Sequence, residues 1–206
     1  MAKQKKEQDY LINLDLYIKT KVYVGHKIIT PDMRKYVFKR KGDGVAVFNT
    51  DIIDQKIREA INYISKFQPE DIIVVGKNPK ARKAIEMFSF YTGIKAFTSK
   101  YPAGILTNPN LENFLEPKLV LIVDPIIDKN ALKDANKVKI PVLALCNSNT
   151  YTKGIDFVLP INNREESSLG LVFYLLAKGY LESLGIKKEV KIEDFIDMEK
   201  IKEKTD

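Results

Sequence analysis

Cysteine and histidine are nearly missing from this 206-residue chain, which has one of each, Cys146 and His26. A lone cysteine excludes an internal disulfide and fits a reducing cytoplasm. One histidine beside one cysteine excludes a His/Cys zinc cluster. A Ser-His-Asp triad would have to recruit His26 from a basic segment that precedes the main α/β pattern. No stretch reaches the roughly 18 consecutive apolar residues of a membrane helix. Residues 1–8 are polar and Lys-rich with no apolar stretch behind them, unlike a secretory leader. Cys146 closes the apolar run 142–146 and reads as a small core residue.

Charge is present and lopsided. Residues 1–41 carry eleven Lys/Arg against four Asp/Glu, while residues 42–206 carry 23 of each. The whole excess of +7 therefore sits at the front of the chain. Cations concentrated in this way suit a polyanion, since each phosphate they neutralise releases condensed counterions.

The apolar pattern divides the chain into a basic arm (1–9), one α/β domain (10–186) and a charged tail (187–206). Tyr10, Leu11, Leu14 and Ile18 recur at helical spacing and predict a helix over 10–19. Alternation over 36–41 predicts a short strand with Tyr36 and Phe38 on one face, closed by the turn Gly42-Asp43-Gly44. From residue 45 onward short apolar runs (45–48, 72–75, 119–123, 142–146, 157–159 and the weaker 94–97) alternate with helical stretches over 52–67, 79–91 and 169–184. That alternation predicts a parallel sheet with helices on both faces. Ile192, Phe195 and Ile196 in the tail fit a peripheral helix or a frayed, disordered end.

Ligands of open α/β sheets bind beyond the carboxyl ends of the strands. The residues there are mainly amides and hydroxyls: Asn49-Thr50, Asn78, Asn147-Ser148-Asn149 and Asn162-Asn163. The glycines of a dinucleotide turn are absent, and Gly76-Lys77 lacks the rest of a phosphate-loop frame. Asn78-Pro79 reads as a helix cap with proline in the first turn. Asp124, before Pro125, is the one catalytic-looking residue, and Asp before Pro commonly shapes a turn. Lys77, Lys80, Arg82 and Lys83 cluster at a helix start, where they oppose the macrodipole and would be relieved by a bound anion.

The segment Lys100-Tyr101-Pro102-Ala103-Gly104-Ile105-Leu106-Thr107-Asn108-Pro109 resembles the R-F-x-P-G-x-L-T-N-P signature of the small-subunit ribosomal protein two family. Three further blocks resemble it in order: Gly25-His26 through Thr30, Met33 and Tyr36 to Gly44; Val123-Asp124-Pro125 with Asp128 and Ala131; and residues 140–146 with 155–160 and Asn162-Asn163. The likeness covers about residues 10–185 and is nearest the archaeal and eukaryotic branch, which includes the laminin-receptor-like ribosomal protein. Bacterial members carry an inserted helical hairpin for which this chain has no room. Departures are Lys100 for Arg, Ala103 for Pro, Asn147 for a common Asp and Ile161 for a small residue. The resemblance implies a three-layer, flavodoxin-like (Rossmann-like) sheet of order 2-1-3-4-5 used as a scaffold, with an N-terminal helical and basic extension. It implies a place in the cytoplasmic small subunit between head and body, ribosomal RNA and neighbouring ribosomal proteins as partners, and neither catalysis, cofactor nor metal.

The RNA-binding candidates are Lys27, Arg34, Lys35, Lys39, Arg40, Lys41, Lys77, Lys80, Arg82, Lys83 and Lys100, which would meet phosphates, with Tyr101, Thr107 and Asn108 in the signature loop. That loop has an internal bracing role as its rival reading. Tyr36 or Phe38 is expected to stack on a base or pack inward, and His26 to donate a loop hydrogen bond. The competing functional reading is a nucleotide- or sugar-phosphate enzyme using the strand-end crevice at Asp124.

Overall fold

The computed structural model describes residues 10–199. Five parallel strands form its centre: β3 (Ile72–Val75), β4 (Lys95–Phe97), β5 (Leu119–Ile122), β6 (Val142–Cys146) and β7 (Phe157–Pro160), ordered β4-β3-β5-β6-β7. Numbered among themselves along the chain, they run 2-1-3-4-5 across the sheet, the flavodoxin-like order. The central strands are apolar because both faces are covered: every residue of β3, β5 and β6 is buried.

One face carries α2 (Thr50–Ile64), α3 (Arg82–Thr92) and α5 (Glu166–Ser183), with α5 packed against both others. In α2 the stripe Ile53, Ile57, Ala60, Ile61 and Ile64 faces the core, and Asn49 caps the helix by accepting the Asp51 N–H. In α3, Ala84, Ile85, Phe88 and Tyr91 do the same, and the helix stops at Gly93 in the left-handed region. The other face is half helix and half loop. There α4 (Lys129–Lys137) contacts β5 and β6, and the long connection 98–118 lies beside it, tied by the Tyr101 hydroxyl donating to Asp134 Oδ2 at 3.3 Å. Tyr101, Ile105 and Leu106 are buried in the core cluster, so this loop supplies apolar cover where a crossover helix would usually lie.

The N-terminal region departs from expectation in two ways. The run 45–48 does not join the parallel sheet. As β2 (Ala46–Phe48) it pairs antiparallel with β1 (Val37–Arg40) in a separate two-stranded hairpin. Apolar content cannot tell a central strand from one buried beneath a neighbouring segment. The helix expected over 10–19 is α1 (Leu14–Lys19), begun by the cap Asn13, and its inward residue is Tyr17, with Ile18 half exposed. Asp54 of α2 decides this face, accepting from the Tyr17 hydroxyl at 2.8 Å, the Leu11 N–H at 2.9 Å and Arg58 Nε at 2.8 Å. A buried carboxylate with three donors outweighs the burial of one isoleucine.

At the other end, the single turn α6 (Ile192–Phe195) buries Phe195 and Ile196 against α3 and α5. The contact needs Gly170, where a Cβ would lie 2.4 Å from the Phe195 carbonyl oxygen. The basic arm 1–9 and the tail end 200–206 lie outside the described residues. No helix among the described residues is long and apolar enough to cross a membrane.

Candidate functional site

The carboxyl ends of the strands are laced together by side-chain amides. Asn163 donates from Nδ2 to the carbonyls of Val123 (3.4 Å) and Leu145 (3.2 Å), and its Oδ1 accepts from Asn147 Nδ2 at 3.3 Å. Its own carbonyl accepts from Asn78 Nδ2 at 3.0 Å, so the ends of β3, β5, β6 and β7 meet at one residue. Asn78 also caps the turn Pro79–Ala81 by accepting the Lys80 N–H at 3.1 Å. Gly76 is there for packing: a Cβ would lie 2.5 Å from Ile85 Cδ1 and 2.7 Å from Val123 Cγ2. The Gly-Lys pair is therefore a close strand-to-helix contact rather than a phosphate loop.

The basic segment is pinned onto this same edge. Ser148, just past β6, accepts the His26 N–H at 2.7 Å and donates toward the carbonyls of His26 and Ile28. The Thr30 N–H reaches the Ser148 carbonyl at 2.9 Å, Thr30 Oγ1 donates to the Thr150 carbonyl at 2.7 Å, and Asp32 accepts from Thr152. Asn162 Nδ2 donates to the Lys21 carbonyl. His26 accepts the Ile28 N–H at Nδ1, 3.1 Å away, reversing the donor role expected for it. Burial, then the charges of Arg164 and Lys27, push its pKa below the ordinary value, which keeps that acceptor available.

Of the predicted site residues, Lys27, Arg34, Lys35, Lys39, Arg40 and Lys41 are exposed along the pinned segment and its hairpin. The shared face for Tyr36 and Phe38 is not found. Tyr36 closes a 3₁₀ turn and is 8% exposed, whereas Phe38 is 68% exposed. The cause is a bulge: the pairing slips between Val37↔Phe48 and Lys39↔Val47, turning Phe38 outward. Phe38 is thus the aromatic left free to stack, with Lys39 Nζ 5.9 Å from its ring centroid.

Lys77, Lys80, Arg82 and Lys83 are exposed around the start of α3. Arg82 pairs with Glu86 at 2.9 Å and Lys80 lies 4.0 Å from Glu165, so acids from the next turn and from the foot of α5 offset part of the conflict with the helix dipole. In the signature loop, Lys100 and Asn108 are exposed and Thr107 is half-buried. Asn108 serves the loop itself, its N–H reaching the Gly104 carbonyl and its Oδ1 accepting the Asn110 N–H. Tyr101 is 8% exposed and bonded to Asp134, so its ring faces the core and is not available to a base.

Between the ends of β3, β5 and β7 lies a cleft of about 350 Å³, at the point where the strand order reverses. Asn78 and Lys80 line it from one side, Asp124, Ile126 and Ile127 from another, and Asn149 and Arg164 complete it. Asp124 Oδ1 accepts the N–H groups of Ile126 (2.9 Å) and Ile127 (3.4 Å), an Asx turn that shapes the β5 exit. Burial raises its pKa, opposed by those two bonds and by Arg164. Asp128 is pushed up to about 6, chiefly by burial, with the Asp124 charge adding and the Lys77 N–H opposing. Arg164 was not legible as a site residue, although its place directly after Asn162-Asn163 at a strand end is the signal that could have found it.

Chemically, the edge offers fixed amides, surface cations and two partly desolvated carboxylates. Cys146 is fully buried and its thiol pKa is raised by burial, so it is no nucleophile. Among the described residues no three His, Cys, Asp or Glu side chains gather as a metal site.

Comparison with known proteins converges on one family. The sequence model described as "Ribosomal protein S2" matches residues 17–116 and 110–183. A small ribosomal subunit protein uS2 from Nanoarchaeum equitans is 41% identical over 192 residues, covering 91% of this chain and 96% of the relative. Proteins of the same name from Ignicoccus hospitalis (36% identical; 86% and 84% covered) and Thermoplasma acidophilum (34%; 87% and 90%) are also similar.

Proposed function

Because the chain belongs to the ribosomal protein S2 family, and so is a structural protein of the small ribosomal subunit rather than an enzyme, we propose that it enters the particle through the carboxyl edge of its sheet. On this reading Lys27, Arg34, Lys35, Lys39, Arg40 and Lys41 meet ribosomal RNA phosphates from one part of the edge. Lys77, Lys80, Arg82 and Lys83 meet them from another, Phe38 stacks on an exposed base, and neighbouring ribosomal proteins take adjoining surface in the cytoplasmic subunit. The observation that carries it is the pinning of the basic segment through Ser148. Those bonds bring the segment that carries the first cation cluster to the border where β3 ends and the second cluster begins. Such preorganisation lowers the ordering cost of binding.

Lys100, Thr107 and Asn108 remain candidates for a separate contact through the signature loop, and Tyr101 acts there as its anchor. The edge reading is tested by sedimenting lysate through sucrose gradients at stepped salt. The protein is expected to travel with small subunits at low ionic strength and to be stripped progressively as salt rises. Absence from the particle at low salt overturns it.

A further inference from the structure

We propose that the cleft between β3, β5 and β7 holds one unstacked guanine nucleotide of a single RNA strand, with its phosphate on Lys80 and Arg164 and its base edge on Asp124. This rests on the RNA-binding reading above and gives it a specific pocket. The cleft's 350 Å³ lies near the lower end of the roughly 300–1,000 Å³ typical of small-ligand sites, room for one nucleotide rather than a duplex. Its chemistry is mixed in the way a nucleotide is. Two cationic side chains offer donors to an anion, while Asp124 offers an acceptor.

Asp124 uses only Oδ1 in its turn, which leaves its second carboxylate oxygen to the cleft that the residue lines. A ligand bringing N–H donors would answer it. Among the four bases only guanine carries N–H groups on two adjacent edge positions, N1–H and N2–H, and so can turn both toward that one oxygen. Ile126 and Ile127, 50% and 47% exposed, give the base an apolar surface to lie on. An acidic peptide would satisfy Lys80 and Arg164 but would place its carboxylates beside Asp124, which argues against it.

The test uses the full chain and fluorescent uridine hexamers carrying one central guanosine or adenosine, with GMP and hexaglutamate as competitors. The guanosine hexamer is expected to bind about tenfold tighter or better. Asp124→Asn keeps an oxygen for the Ile126 and Ile127 N–H groups; it should fold and lose that preference. Arg164→Ala should weaken both hexamers alike, and Glu116→Gln, at the opposite end of the sheet, should change neither. No guanosine preference, a preference that survives Asp124→Asn, or equal competition by hexaglutamate overturns the proposal. GMP binding without hexamer binding also overturns it, because the cleft would then take a free nucleotide. If the chain still sediments with small subunits, only the pocket has failed; if it does not, the RNA-binding reading has failed with it.

Discussion

The two ends of the parallel sheet hold clefts of nearly equal size, about 350 Å³ at the carboxyl end and about 340 Å³ at the amino end, and they differ in how their polar groups are held. The amino-end cleft is lined by Pro69, Ile73, Leu115 and Pro117 with Glu70, Glu116 and Lys95, and the nearby Lys118–Asp71 pair (3.0 Å) leaves Lys118 largely exposed. The carboxyl end is tied by buried amides, bordered by the cationic segment and holds two desolvated carboxylates. Volume therefore does not mark a site here. What separates the ends is how many polar groups have been withdrawn from water and fixed in place, and that difference can be tested.

The largest effect is expected from Asn163→Ala. It removes the side chain that joins the ends of β5 and β6 to Asn147 and leaves buried polar groups without partners. A loss of about 2–4 kcal/mol in urea unfolding is expected; a loss under about 0.5 kcal/mol would show that the amide lacing carries no stability. Next comes joint neutralisation of Arg34, Lys35, Arg40 and Lys41. Small-subunit association should weaken roughly 10- to 100-fold at low salt, and the log–log salt slope should flatten by about two or more. An unchanged slope removes the hairpin from the binding surface.

Asp128→Asn comes third. A carboxyl raised from its ordinary range to about 6 binds more protons folded than unfolded between about pH 4 and 6. Its ionisation therefore costs stability as pH rises through that window, and the cost persists above it. Replacing it with Asn should flatten that part of the stability–pH curve and raise stability at pH 7 by roughly 1–2 kcal/mol, after allowance for partial solvent screening. An unaltered curve would mean that Asp128 titrates as an ordinary surface acid. The smallest effect belongs to the amino end. Lys118→Ala breaks an exposed pair and should cost less than about 1 kcal/mol with no change in RNA binding.

Much of the central layer was legible beforehand. The apolar runs at 72–75, 119–123 and 142–146 became β3, β5 and β6, with the last residue of the second run just outside its strand, and even the weak run 94–97 became the edge strand β4. The Asn78 cap was legible too, from the proline that follows it in the first turn. The N-terminal region was read less well because its geometry depends on distant partners. Tyr17 turns inward toward Asp54, and the bulge in β1 separates Tyr36 from Phe38. Tyr101 stood among the binding candidates because it lies in the signature loop, whose rival reading was internal bracing, and Asp134 on a neighbouring helix holds it inside.

By itself the sequence determined the alternation of apolar runs and helical stripes, hence a parallel sheet covered on both sides, and the placement of the whole positive excess in the first 41 residues. Those are properties of local spacing and composition. Only the tertiary structure decided that the basic segment crosses the carboxyl ends of the strands, that β2 stands outside the sheet, and that Arg164 shares a cleft with Lys80 and Asp124. The reason is that the crossing and the cleft rest on hydrogen bonds between residues far apart in the chain, such as His26 with Ser148, 122 positions away, and Asn78 with Asn163, 85 positions away. Such pairings are selected when the chain closes on itself and leave no periodic trace along it.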